Sequence, residues 1–237
     1  MSHEPLQVTF WVQAPISLNH PWLHFDGIVS HLIHRRVLGR AYYDLPTKRV
    51  QHLSARVMGP YRDLLLQTAG INHGSASVLG PDVRYATSSY FKRFEPRFAP
   101  KTFRRVELGR GRFRAWMLRA VLVSCAWARF YCCAKRALLE DLLDDLWGLG
   151  DDTRIGWGRI WRIEIEPMPE CHCIVYQGRA MRPIPIYYLR HASEVVPLAW
   201  RPPYWARESI ALCAPPGAEV ELGEDLARHL SRLQPAS

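Results

Sequence analysis

Residues 148–160 read Gly-Leu-Gly-Asp-Asp-Thr-Arg-Ile-Gly-Trp-Gly-Arg-Ile. Glycines permit left-handed backbone and the close approach of a ligand, and consecutive amides in such a loop can form a concavity that holds an anion. Arg154 and Arg159 add positive charge, and Trp157 offers a plane on which a base can stack. The stretch predicts a loop that binds phosphate or base, although a glycine-rich hairpin that only turns the chain fits the same residues.

Regular structure is predicted on both sides of this loop. Before it, residues 135–147 place five leucines on one stripe and four acids opposite, a pattern typical of an amphipathic helix. After it, residues 161–166 alternate apolar and charged side chains, which indicates a strand. A first helix is predicted from an N-cap at Asp26 to a stop at Gly39. Three more strands are predicted at 6–14, 112–123 and 127–134, with the last two forming a hairpin.

The order strand, helix, strand, strand, helix, strand is typical of the ferredoxin-like fold, so we predict an α+β chain with a ferredoxin-like, RRM-like lobe over residues 1–166. Between residues 40 and 105 the apolar periodicity weakens and turn residues accumulate, which predicts a basic, thumb-like insertion. Residues 167–237 contain short strands broken by prolines and a final helix, and are predicted to form a smaller β-rich C-terminal lobe.

Positive charge is concentrated in one part of the chain. The formal net charge is +9 and the isoelectric point is near 9.5. From Lys92 to Arg119 there are ten Lys or Arg residues and two acids, a local excess of eight that nearly equals the total. A second cluster runs from Arg35 to Arg49. Charge clustered in this way favours a polyanionic partner.

Several other functions lack support in the sequence. Six cysteines are too few and too irregularly spaced for a disulfide framework, and Cys171-His172-Cys173 has no second pair at zinc-finger spacing, so no metal site is expected. Neither a Walker-type phosphate loop nor a nucleophile elbow occurs, so no cofactor is expected. The apolar stretch 115–134 is interrupted by Arg119 and Arg129, which argues against a membrane span. No secretory signal is visible, and a cytoplasmic location is the expectation.

The leucine-rich helix that runs into the glycine-rich loop resembles a motif of the RAMP superfamily, the repeat-associated proteins of CRISPR systems. The matching residues are Gly148, Gly150, Thr153, Arg154, Gly156, Trp157, Gly158, Arg159 and Ile160. The segment His24-Phe25-Asp26-Gly27-Ile28-Val29-Ser30-His31-Leu32 resembles the start of the Cas-five-like subunit of type IV effector complexes, the third signature protein of that system.

This resemblance implies a non-catalytic RNA-binding subunit of a type IV effector ribonucleoprotein. Such a subunit clasps the 5′ handle of CRISPR RNA (crRNA) and caps or nucleates the backbone filament for RNA-guided DNA targeting. The implied partners are crRNA, Cas-seven-like backbone subunits and the large subunit, and contact with target DNA near the protospacer-adjacent motif is left open.

Basic side chains interleaved with aromatic ones are the residues expected to contact RNA, because phosphates bind cations and bases stack on aromatic rings. The candidate RNA-binding residues are Arg35, Arg36, Arg40, Lys48, Arg49, Tyr90, Phe91, Lys92, Arg93, Arg97, Lys101, Arg104, Arg105, Arg154, Gly156, Trp157, Gly158 and Arg159.

Two alternatives remain open at this point. The first is a metal-independent crRNA-processing endoribonuclease, in which His31 and His34 act with Tyr42, Tyr43 and Lys48. The second is a basic protein-interaction subunit that does not contact RNA.

Overall fold

The computed structural model of the protein describes residues 2–44, 59–95, 97 and 114–231. The chain is α+β, with more residues in strands than in helices. The helices are α1 Phe25–Leu38, α2 Ala41–Asp44, α3 Arg136–Leu143 and α4 Glu224–Ser231. The strands are β1 Glu4–Val12, β2 Ile16–Leu18, β3 Gln67–Thr68, β4 Ile71–Asn72, β5 Val78–Gly80, β6 Arg84–Lys92, β7 Trp116–Ser124, β8 Trp127–Ala134, β9 Ile160–Pro167, β10 Val175–Tyr176, β11 Arg179–Ala180, β12 Ile184–Pro185, β13 Leu189–Ala192, β14 Val196–Ala199, β15 Ile210–Ala214 and β16 Val220–Leu222.

The main sheet has four antiparallel strands in the order β5-β8-β1-β9. Val8 of β1 lies opposite Phe130 of β8 and Ile165 of β9, so alternate side chains of all three strands point to one face. That face is buried: Val8, Phe10 and Phe130 are in one core cluster with residues of α1 and α3. The alternating pattern read in β1 and β9 is therefore the pattern of a sheet with one covered face.

Strand β7 pairs with β6, and the predicted hairpin between 112–123 and 127–134 is wrong. Nine residues of β7 lie opposite nine of β6, from Arg84 opposite Ser124 to Lys92 opposite Trp116. The edges of β8 are already occupied by β1 and β5. Alternation of apolar and polar residues identifies a strand but not the strand with which it pairs. The short connection at 125–126 joins β7 in one sheet to β8 in another. We call β6 and β7 the ribbon.

A second core cluster lies in the part of the chain that follows β9. It contains Ile174, Ile184, Cys213 and Leu226, and Ile71 from β4 packs into it. The predicted final helix is present as α4. The division into a lobe, an insertion at 40–105 and a C-terminal lobe stays a prediction; within that insertion range, β5 is an edge strand of the main sheet. Among the described helices, none is long and apolar enough to cross a membrane.

Asp26 is a buried ion-pair residue, and its predicted role as N-cap is wrong. Helix α1 begins at Phe25 with His24 in the N-cap position. The Asp26 carboxylate lies 3.1 Å from the Arg182 guanidinium, and each side chain is 1% exposed. It also accepts hydrogen bonds from the Tyr204 hydroxyl at 2.6 Å and the Asn72 amide at 3.1 Å. The Asp-Gly at the start of α1 thus joins this helix to the C-terminal part of the chain.

His24 makes the stability of the fold sensitive to acid. Its ring stacks on Tyr204 at 4.1 Å, and neither ring nitrogen has a hydrogen-bond partner among the described residues. Burial lowers the pKa of His24 from 6.5 to about 4, helped by Arg182 and opposed by Asp26. In the unfolded chain His24 is therefore protonated as the pH falls below 6.5, whereas in the folded chain it is protonated only near pH 4.

We expect the free energy of unfolding to fall by up to about 3 kcal/mol from this group between pH 6.5 and 4. Urea unfolding at a series of pH values measures this slope, and His24→Phe should flatten it. Because His191 is exposed, His191→Gln should leave the slope as it is. Equal slopes in wild type and His24→Phe would contradict the argument.

Candidate nucleic-acid interface

The glycine-rich loop (148–160) folds back on itself and rests against residues 13–19. The Leu149 amide donates to the Gly158 carbonyl at 2.9 Å, and the Ile160 amide donates to the Trp147 carbonyl at 3.0 Å. The Gly158 amide donates to the Pro15 carbonyl at 2.8 Å. Main-chain hydrogen bonds therefore hold the loop together and fix it to residues 13–19.

Gly158 is required by this close contact. Its φ is +61°, in the left-handed region that favours glycine, and an added Cβ would lie 1.9 Å from the Leu149 carbonyl oxygen. No side chain fits at that distance. The glycine pattern in this loop thus reflects the turn of the chain as well as any ligand.

Several backbone amides of the loop are already used within the chain. The amides of Leu149, Asp151, Ile155, Gly156 and Gly158 all donate to carbonyl groups. A phosphate bound to any of these five amides would have to break the existing bond. The predicted anion-binding concavity of consecutive amides stays a prediction.

The side chains that the loop presents are two arginines and a tryptophan. Arg154 and Arg159 are exposed, and Ile155 between them is 64% exposed. Trp157 is half-buried, and its indole N–H donates to the Tyr90 hydroxyl in β6. This bond brings together two of the elements that the sequence singled out separately, the glycine-rich loop and the basic ribbon.

A cleft of about 640 Å³ lies between the loop and the outer end of the ribbon. We call it the ribbon cleft. Its lining residues are Tyr90, Phe91, Arg93, Glu95, Trp116, Asp152 and Ile155. Three aromatic rings with an arginine beside them can stack bases and contact a phosphate, and the two acids restrict where a backbone can pass. Sequence reasoning missed Trp116 and Ile155, although Trp116 lies inside the basic run from 92 to 119.

The ribbon also exposes apolar side chains that do not line the ribbon cleft. Met117 and Val121 of β7 are 56% and 44% exposed, and Tyr85 of β6 is 71% exposed. A row of exposed apolar side chains of this kind marks an interaction surface.

The basic cluster on α1 is engaged with α3. Arg36 pairs with Asp141 and lies 2.9 Å from Asp145, and it donates to the Tyr61 hydroxyl at 2.8 Å. Hydrogen bonds to Asp145 and Tyr61 raise the pKa of Arg36 above its ordinary value. Arg35 donates to the Asp145 carbonyl. These two arginines balance the acids of α3, and neither lines the ribbon cleft.

The remaining candidates are placed as follows. Arg40 and Arg93 are exposed, Arg97 pairs with Glu95 at 2.6 Å, and Lys92 ends β6. Lys48, Arg49, Lys101, Arg104 and Arg105 lie outside the described residues.

A second cleft, of about 750 Å³, lies between α1 and residues 201–209. His31 and His34 line it, and the Tyr42 hydroxyl is 2.7 Å from His31 Nδ1. Burial, Arg35 and His34 lower the pKa of His31. His34 Nδ1 is turned to the Ser30 carbonyl at 2.6 Å. Two of the residues considered for general acid and base roles are thus in contact, while Lys48 is outside the described residues.

Comparisons with known proteins identify one family. The family model described as CRISPR type IV associated protein Csf3 matches residues 83–216, more than half of the chain. No curated protein matches the chain. A chain of the cryo-EM structure of the Type III-B Cmr-beta bound to cognate target RNA matches at 8% sequence identity with a TM-score of 0.41. That match covers 70% of this chain and 61% of the other, so the present chain spans about three fifths of that protein's length.

Proposed function

Because the chain belongs to the family of CRISPR type IV associated protein Csf3, we propose that it is a subunit of a type IV CRISPR effector complex that binds crRNA at the ribbon cleft and the adjoining glycine-rich loop. The observation that carries this proposal is the hydrogen bond from Trp157 to Tyr90. It joins a loop with two exposed arginines to a ribbon with exposed aromatic rings. Single-stranded RNA is held by this combination of cationic and stacking side chains.

The segment of RNA bound here is the 5′ handle. In RNA-guided complexes the guide reads its target by base pairing, so the base edges of the guide must stay free. A cleft that takes bases between Phe91, Trp116 and Tyr90 suits the invariant handle better than the guide. The exposed apolar side chains of the ribbon outside the cleft, among them Met117 and Tyr85, then pack on the adjacent Cas-seven-like or large subunit as this chain caps the filament.

A ferredoxin-like assignment of the main sheet belongs to the same proposal. β1 lies between β8 and β9, with β5 at the edge beside β8. Helix α1 and the short helix α2 lie between β1 and β5 in the chain, and α3 lies between β8 and β9. This order supports the ferredoxin-like reading, with β5 in the place of the second strand and the ribbon inserted after it.

The subunit is proposed to be non-catalytic. The His31–Tyr42 contact favours one second candidate, a metal-independent endoribonuclease. Against it, His34 is turned to the carbonyl of Ser30 in its own helix. A single RNA-binding experiment separates the two functions.

The test is fluorescence anisotropy of labelled crRNA with wild type and with Arg154→Ala/Arg159→Ala over a range of salt concentrations. If both arginines contact phosphates, the variant should bind more weakly, and its log-log salt slope should be smaller by about 1.4, since each contact with a single strand contributes about 0.7. An RNA with a scrambled handle should bind wild type more weakly than the native handle does.

The matched control is Arg179→Ala/Arg190→Ala, which removes the same charge from exposed ion pairs after β9. It should bind crRNA as wild type does. Equal losses in both variants would indicate nonspecific charge and contradict the cleft as the site. Running the RNA on a denaturing gel after the titration checks for cleavage: intact RNA supports the non-catalytic role, and cleaved RNA that becomes intact with His31→Ala would favour the nuclease.

A further inference from the structure

Three potential metal ligands meet in the interior of the chain. His73, Cys171 and Cys173 each place a ligand atom within 4.8 Å of the other two. Cys171 Sγ lies 3.6 Å from His73 Nδ1 and 2.9 Å from Cys173 Sγ. The sulfur pair is well beyond the roughly 2.05 Å of a disulfide bond. His73 and Cys173 are fully buried and Cys171 is half-buried, so the group is almost closed to solvent.

Main-chain hydrogen bonds fix the elements that carry these residues. His73 directly follows β4, and its amide donates to the Leu66 carbonyl at 2.8 Å. Its own carbonyl accepts from the Cys133 amide in β8 at 3.1 Å. Cys171 and Cys173 lie in a bend after β9, where both sulfurs turn inward while His172 between them packs on Tyr176.

The imidazole of His73 is oriented as a ligand would be. Its Nε2 is 2.7 Å from Thr68 Oγ1, a buried hydroxyl that can accept the Nε2 proton. That tautomer leaves the Nδ1 lone pair directed at the sulfur atoms. A histidine that binds a metal through one nitrogen almost always has its other N–H fixed in this way by a second partner.

We propose that His73, Cys171 and Cys173 bind a Zn²⁺ ion in the interior of the chain. Two thiolates with one imidazole are a ligand set that zinc takes in proteins. Sulfurs at about 2.3 Å from a tetrahedral zinc are about 3.8 Å apart. The Cys171 and Cys173 sulfurs therefore separate by about 1 Å when the ion enters, and His73 needs no reorientation.

Binding of a cation by this group requires that its thiols lose their protons. Burial raises the pKa of Cys173. A buried thiol of this kind is deprotonated when it coordinates a cation, which makes binding release protons and weaken in acid.

An ion at this position would join two parts of the fold. His73 follows the β3–β4 hairpin and is hydrogen-bonded to β8 of the main sheet, and residues 171–173 lead into the second core cluster. The site shares no residue with the ribbon cleft. The proposed zinc site therefore stabilises the junction of the two cores and does not depend on RNA binding.

Metal analysis of the purified full chain tests the proposal. After purification without chelator and incubation with Zn²⁺ followed by desalting, wild type should retain about one zinc per chain by elemental mass spectrometry. Cys171→Ser/Cys173→Ser should lose that zinc, whereas Cys125→Ser, which changes a half-buried cysteine outside the group, should keep it. Replacing Zn²⁺ by Co²⁺ should give the visible absorption of tetrahedral cobalt thiolate in wild type.

Because the double variant could fail to fold, a second measurement uses wild type alone. A strong chelator should remove the zinc and lower the melting temperature, and added Zn²⁺ should restore both. Wild type that retains no zinc, or Cys125→Ser that loses it equally, would overturn the proposal. So would iron in place of zinc, or a Cys171–Cys173 disulfide found by peptide mass in protein purified under reducing conditions.

Discussion

Replacing Arg182 by methionine is expected to lower the free energy of unfolding by about 3–5 kcal/mol. The guanidinium is 1% exposed and pairs with the equally buried Asp26 at 3.1 Å. It also donates to the Gly74 carbonyl at 3.0 Å and the Trp200 carbonyl at 2.6 Å. Removing it leaves a buried carboxylate without its counter-charge and two buried carbonyls without their donor.

Urea unfolding of three variants measures this effect and its origin. Arg190→Met removes an arginine from exposed ion pairs with Glu221 and Glu224 and should change the unfolding free energy by less than about 1 kcal/mol. Adding Asp26→Asn to Arg182→Met should recover part of the loss, because the unpaired buried charge is then gone. If Arg182→Met proved as harmless as Arg190→Met, the buried pair would not hold α1 to the C-terminal part.

Replacing Gly158 by alanine should be nearly as damaging, at about 3 kcal/mol or more. The new Cβ would meet the Leu149 carbonyl oxygen at 1.9 Å, and that atom is main chain of a residue whose amide is hydrogen-bonded to the Gly158 carbonyl. Left-handed backbone adds a further 1–2 kcal/mol or so for alanine. The loop would have to move away from Leu149, and Trp157 would lose its contact with Tyr90.

Gly156→Ala is the matched control for this change. Gly156 also has a positive φ, +101°, but an added Cβ there meets nothing within 4 Å. Its cost should stay near 1–2 kcal/mol, from backbone conformation alone. The melting temperatures of the two variants give this comparison, and crRNA binding is measured on the variant protein that remains folded. Equal stabilities would mean that the loop can relax without contact to Leu149.

Much of the main sheet could be predicted from local pattern. β1, β8 and β9 alternate because one face is covered, and α1 and α3 have the apolar spacing of helices that cover it. Helix α3 ends at Leu143 instead of continuing to Trp147, since Asp144 and Asp145 are unfavourable at the negative end of the helix dipole. The α+β class and the family followed from these elements and the glycine-rich loop.

Pairings between distant residues were beyond the sequence. The local sequence does not distinguish β6 from β8 as the pairing partner of β7. The pairing follows from the rest of the sheet, because both edges of β8 are occupied by β1 and β5. His73 and Cys171 are 98 residues apart, so a search for closely spaced ligand pairs passes over them. Trp157 and Tyr90 are also far apart in the sequence, so their contact could not be predicted from it. For the candidate site, the sequence indicated which types of residue to expect but not which residues contact one another.

The central position of β1 has a consequence for how the chain is made. Leu6 lies opposite Cys132 on one side and Pro167 on the other, so this strand leaves the ribosome long before either neighbour exists. At ordinary elongation speeds the wait for β9 is about 8–30 s. During that time the apolar side chains and both open edges of a nascent strand are available to chaperones or to other nascent chains. Slow translation of the first 167 residues should therefore lower the yield of folded protein more than slow translation of the remainder.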